Sequence, residues 1–256
     1  MDGFKLNKSK KNWSFPYFGA MFKCDVYCRL VILFISSLFM AGCKEEESNG
    51  SSGVDSDRLF LDYTVWAEED RENVTCRFQF KYGDADAEAL RIDPPGQVLL
   101  DGETLTSDST RFMGVFYEVQ KPVSSFGGRH TITLKGTDGK TFSEQFDFHP
   151  FYLSEELPEI VRRGRLVITL DSFPARETAL RLVMVDTSLA TDDVNEVIRV
   201  VNGAVEIEEW MLERLVNGPI NLEISKEEER PVRKGTETGG WMSITYVLRR
   251  GFDLAD

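Results

Sequence analysis

The chain lacks most of the signatures that mark a catalytic or nucleic-acid-binding protein. It has two histidines and four cysteines in 256 residues. No HxxxH, HExxH or CxxC spacing occurs, so a transition-metal site is not encoded. There is no GxSxG, no P-loop and no GxGxxG ahead of a helix, which removes the usual hydrolase and nucleotide-binding motifs. Positive charge is scarce: 30 Lys and Arg face 43 Asp and Glu, for a net charge of -13. Such a surface repels phosphate backbones and excludes a dedicated nucleic-acid binder. Long apolar runs are also missing. The longest, Leu30 to Met40, has 11 residues, about 16 Å of helix, or roughly half the hydrocarbon core of a bilayer.

That run, preceded by Lys23 and Arg29, has the proportions of a signal-peptide h-region. Ala41 and Gly42 follow it, then Cys43, and the segment LFMAGC (Leu38 to Cys43) resembles the lipobox of bacterial lipoproteins, with Met40 where Leu is usual. The resemblance implies a diacylglycerol on the Cys43 sulfur and cleavage just before it. Residues 1–42 are therefore expected to be a lipoprotein signal, with translation expected to start at Met21, because the preceding basic cluster (Lys5, Lys8, Lys10, Lys11) serves no signal function.

Removing the six basic and two acidic residues of 1–42 leaves 24 basic and 41 acidic residues, net -17. Attachment to a membrane must then come from acyl chains and not from a basic patch. Lys44-Glu45-Glu46-Glu47 after the cysteine resembles the lipoprotein export signal of Bacteroidota, which implies display on the outer face of the outer membrane. As a spacer alone, the same acidic Ser/Gly stretch over 43–54 is a flexible tether, and placement at the periplasmic face stays open.

The rest reads as strands. Asn73 to Tyr82 alternates Val74, Cys76, Phe78, Phe80 and Tyr82 on one side with Thr75, Arg77, Gln79 and Lys81 on the other, the pattern of a half-buried antiparallel strand. Leu59, Leu61, Tyr63 and Val65 share a face before it. Further strands follow at Leu90 to Ile92, Val98 to Leu100, Phe112 to Val119, His130 to Leu134 and Thr141 to Phe148, with Asp101-Gly102 and Asp138-Gly139 as hairpin turns. A second block holds strands at Arg165 to Leu170, Ala179 to Asp186, Val194 to Val201, Ala204 to Ile207, Pro219 to Ser225 and Trp241 to Arg249. One short helix is expected near 207–216, where Ile207, Trp210, Met211 and Leu215 fall at helical spacing. The helix is expected to lead through Asn217-Gly218 into an edge strand. The fold expected is all-β: two tandem antiparallel sandwiches, 55–150 and 151–256, the second with the helix. The stretch GGRHTITLKGTDGKTFSEQFDF resembles the final hairpin of bacterial Ig-like domains, which concerns fold only.

Of the four cysteines, Cys24 and Cys28 leave with the signal, Cys43 takes the lipid, and Cys76 falls on an apolar strand face as an inert thiol. Asp84, Asp86 and Glu88 put three carboxylates on alternate residues of one loop, a candidate calcium site, although the Gly and distal Glu of an EF-hand are missing. Phe60 and Trp66 are out of phase with the apolar positions of their strand, and Trp241 follows Gly239-Gly240. These three aromatics are candidate ligand-stacking residues; the alternative is that they cover the protein's own sheets. No cofactor is expected. The function expected is a lipid-anchored, non-catalytic module that binds a glycan or a protein partner. A structural spacer in an envelope complex is the alternative, with a glycoside hydrolase accessory protein behind it.

Overall fold

The computed structural model describes residues 50–173, 179–188 and 192–256. The signal, Cys43 and the Lys44 to Glu47 run lie outside the described residues. In chain order the strands are β1 (Leu59–Glu68), β2 (Asn73–Tyr82), β3 (Gln97–Leu100), β4 (Glu103–Thr104), β5 (Ser107–Thr110), β6 (Gly114–Pro122), β7 (Gly128–Lys135) and β8 (Thr141–Phe148). They continue as β9 (Tyr152–Leu153), β10 (Ile160–Arg162), β11 (Leu166–Asp171), β12 (Ala179–Asp186), β13 (Val194–Val201), β14 (Ala204–Ile207), β15 (Gly218–Pro231) and β16 (Gly240–Ala255). Among the described residues, one helix, α1 (Glu209–Glu213), and two short 3-10 turns complete them. The described residues are all-β with a single short helix, as their alternation patterns require.

Among the described residues, β4-β3-β7-β8 forms one sheet, and the remaining strands form a second in the order β5-β6-β2-β1-β16-β15-β12-β13-β14-β11-β9, with β10 beside β16. The period of two decides which faces meet. Leu61, Tyr63 and Val65 of β1, Cys76, Phe78 and Phe80 of β2, and Met242, Tyr246 and Leu248 of β16 are buried against Leu100, Ile132, Leu134, Phe146 and Phe148 of the smaller sheet. Tyr63 meets Phe78 and Phe80 edge to face at 5.4 and 6.2 Å. Cys76 is fully covered, and burial pushes its thiol up to about 12.

The expected boundary between 55–150 and 151–256 falls where the sheet is continuous. β1 pairs in parallel with β16 from Leu61↔Gly240 to Glu68↔Val247, and β15 pairs with β16 along fourteen residues. The start of β16 thus completes the sheet of the first half, and its end pairs with β10 of the second. Gly240 permits this contact, because a Cβ there would lie 2.2 Å from the Leu61 carbonyl oxygen. Phe151, wholly buried, packs on Tyr246 at 5.0 Å, and Phe148 reaches the same ring at 5.9 Å, so the junction lies inside one apolar cluster. Charge crosses it too: Arg230 of β15 contacts Glu144 of β8 at 2.5 Å, where the Glu144 side chain is 2% exposed.

Several details differ from the sequence reading. Leu90 to Ile92 is not a strand but a loop held by isolated bridges at Ala89 and Arg91, and Tyr82, expected on the apolar face of β2, is 37% exposed at the strand end. β15 lies between β12 and β16, so it is an interior strand and not an edge; the charged run Lys226 to Arg230 masked its last third. Trp210 is 41% exposed and donates from Nε1 to Glu208, while Met211 and Leu212 take the buried positions, because α1 has only five residues. Phe112 is not a strand residue; it sits in the turn between β5 and β6.

Candidate functional site

The outer face of the large sheet gathers the three aromatics singled out from sequence. On β1 the even positions Phe60, Asp62, Thr64, Trp66 and Glu68 point away from the core. The register sets Trp241 beside Asp62 and Thr245 beside Trp66, so Trp241 lies on the same face as Phe60 and Trp66. Phe60 and Trp66 are separated by about 20 Å along the strand. Trp241 is 52% exposed, whereas Phe60 and Trp66 are half-buried.

Trp66 is held by neighbours on β2 and β6. The Arg77 guanidinium stacks over its ring at 4.8 Å and over Phe116 at 5.4 Å, and is itself bound to Glu118 at 2.6 Å. One face of the indole is therefore covered by Arg77, which holds the ring in place. Beside it, between the β1–β2 turn and the sheet, is an open cleft of ≈ 520 Å³ lined by Trp66, Glu68, Asp70, Glu72, Asn73 and Gln120, among others. Among the described residues, no side-chain hydrogen bond engages Asp70, Glu72, Asn73 or Gln120. An aromatic wall with four uncommitted polar side chains is the arrangement that recognises a polyhydroxylated ring, apolar on its face and polar at its rim. Sequence singled out Trp66 but missed the polar residues, since the β1–β2 turn and the β2–β6 pairing are what bring them to it.

Glu68, at the floor of this cleft, bonds to Arg249 at 2.9 Å and to Arg71 at 3.5 Å. The Arg249 hydrogen bond holds its carboxyl below the usual range, against the opposing effect of burial, and the charges of both arginines add to it. A carboxylate depressed in the folded state stabilises fully above its unfolded value, and that contribution is lost as pH falls through the folded one. In urea melts, the stability gap between wild type and Glu68→Gln is expected to be complete at neutral pH and to close below about pH 4.3. A gap independent of pH would show that Glu68 acts through packing alone.

The candidate calcium loop does not converge. Among the described residues no three His, Cys, Asp or Glu side chains gather at metal-binding distance. Asp84 instead accepts from the Asp86 backbone N–H at 2.9 Å, closing a local turn, and Lys81 donates to the Ala85 carbonyl beside it. His130 is held within the fold: it is stacked on Phe126 at 3.7 Å, with its two ring nitrogens against Asp101 and the Phe126 carbonyl.

No protein-family model matches the chain, and no curated protein matches it. Among solved structures it is similar to the IG1+IG2 fragment of DIP-gamma, at 8% identity and a TM-score of 0.24, covering 74% of this chain and 94% of that one. It is similar to a bacterial ice-binding adhesin at 10% identity and a TM-score of 0.22, covering 78% of this chain and 65% of the adhesin chain. A titin fragment gives 10% identity and a TM-score of 0.23, covering 78% and 97%.

Proposed function

We propose that the protein is a non-catalytic glycan-binding lipoprotein, anchored through Cys43 at the outer membrane and displayed at the cell surface by the Lys44 to Glu47 signal. The observation that carries the binding role is the cleft beside Trp66, where a ring fixed by Arg77 stands next to the uncommitted side chains of Glu72, Asn73 and Gln120. A wall fixed before binding loses little entropy when a sugar stacks on it. Trp241 and Phe60 lie on the same face beyond the polar positions Thr64 and Asp62, a spacing that suits separate contacts to an extended chain of neutral sugars. The Lys44 to Glu47 run and LFMAGC support the anchor and its placement.

The test is binding of neutral oligosaccharides by calorimetry. Trp66→Ala is expected to weaken binding at least about 10-fold, with Asn73→Ala and Gln120→Ala each weakening it less and urea midpoints nearly unchanged. Binding retained by all three variants would overturn the glycan assignment. Cys43→Ser is expected to abolish labelling by a fatty-acid analogue and to release the protein from membranes; unchanged labelling would overturn the anchor.

A further inference from the structure

The β5–β6 hairpin ends in Arg111-Phe112-Met113, where Phe112 is 96% exposed and Met113 39% exposed. Turn tips ordinarily carry glycine or polar residues, because an apolar side chain there gains nothing from folding. Phe112 is therefore free to contact something outside the fold. Its position indicates what. Gly114, two residues on, has its Cβ position 3.7 Å from the Ala89 side chain. Ala89 bridges Lys81 near the end of β2, and Arg91, two residues further, bridges Gly50, the first described residue. The tip and the chain's arrival from its N-terminal side thus share one end of the sheet. The β1–β2 turn that lines the Trp66 cleft lies at the opposite end, about 30 Å away along strands of ten residues; Arg77 spans part of that length, its Nη1 donating to Met113 Sδ at 3.4 Å while its guanidinium stacks over Trp66.

Cys43 precedes Gly50 by seven residues, a reach of at most about 25 Å when fully extended. With the anchor of the proposed function in place, on which this inference rests, the end bearing Phe112 is the end held near the bilayer. We infer that Phe112 forms a membrane-contacting tip that inserts into the lipid surface carrying the anchor and points the β1–β2 turn of the Trp66 cleft away from it, while Met113 folds back onto Arg77. The contact is apolar and not electrostatic. Asp55, Asp57, Asp84 and Asp86 lie toward the same end, so anionic headgroups are repelled and salt does not release the tip.

The test places an environment-sensitive fluorophore at Arg111→Cys, leaving Phe112 intact, with Arg71→Cys in the opposite turn as the reference. Buried Cys76 escapes labelling. The acylated protein is reconstituted in phosphatidylcholine vesicles whose acyl chains carry a quencher. In parallel, the chain from Lys44, bearing an N-terminal histidine tag, is bound to nickel-chelating lipid in the same vesicles. Quenching at 111 of about twofold or more, none at 71, and its loss on adding Phe112→Ser are expected in both arms. Equal quenching at both sites, none at 111, or quenching that survives Phe112→Ser would overturn the tip. An acylated arm that fails to attach while the tagged arm shows the expected pattern would sink the anchor and leave the tip standing. A label at 111 that stays unquenched but responds to added soluble copies of the protein would identify self-association instead, and would also overturn the lipid contact.

Discussion

Expressed separately, Val54 to Pro150 and Phe151 to Asp256 are expected to give two fragments that do not melt cooperatively, and to recover a cooperative transition when mixed. Without β16, the first fragment exposes the edge of β1 from Leu61 to Glu68 and uncovers the core face that Met242, Tyr246 and Leu248 close. Each such side chain contributes about 1.5–3 kcal/mol when buried, so losing three removes a large share of the about 5–15 kcal/mol typical of a whole domain. The second fragment keeps the β15–β16 ladder but loses the partner of its first half, leaving Met242, Ile244 and Tyr246 in water. A first fragment extended by residues 218–256 should fold, because it regains the strand pair that closes its sheet. Amide dispersion and urea melting decide it. Cooperative melting of each unmixed half would show that the halves are independent sandwiches whose shared sheet adds little.

Removing one carboxylate is expected to have the next largest effect. Glu144 accepts from Arg230 Nη1 at 2.5 Å and from the Arg233 and Lys234 backbone N–H groups at 2.9 and 3.1 Å, while its side chain is almost wholly enclosed. It holds β8 of the small sheet to the loop that leads from β15 into β16. Glu144→Ala leaves the Arg230 guanidinium, whose side chain is 12% exposed, without its buried counter-charge, and two backbone donors without acceptors. A loss of about 3–5 kcal/mol is expected from urea unfolding. Arg230→Met in the Glu144→Leu background should recover part of it, since an apolar pair avoids the stranded charge. A loss below about 1 kcal/mol for Glu144→Ala would mean that water reaches the site and screens it.

Alternation in β1 and in the middle of β2 was enough to assign side chains to core or surface, because a strand half-buried in an antiparallel sheet writes its environment into a period of two; it failed at Thr75, which is buried, and at Tyr82, which is exposed at the strand end. The same reasoning put Phe60 and Trp66 on the outer face. It failed where the chain departs from that period. The strand expected at Pro219 to Ser225 stops before the charged run Lys226 to Arg230, yet these residues pair with Met242 to Tyr246, the long side chains keeping their charges at the margin. Phe112 reads as the start of a strand because it is apolar beside β-formers, and only the turn closed by Gly114, at φ 66°, exposes it. The cleft partners Asn73 and Gln120 are polar residues on separate strands, with no local pattern to link them.

By itself, the sequence determined the all-β class of the described residues, the inner and outer faces of the central strands, the short helix near 207–216, and the absence of metal and nucleotide motifs. Those properties follow from side-chain periodicity and residue chemistry, which act over a few residues. Tertiary structure alone decided that β1 pairs in parallel with β16, that Glu144 meets Arg230, that Asn73 and Gln120 stand beside Trp66, and that Phe112 shares an end of the sheet with Gly50. Strand pairing across nearly two hundred residues depends on which buried faces can close one core together, and no local pattern carries that information.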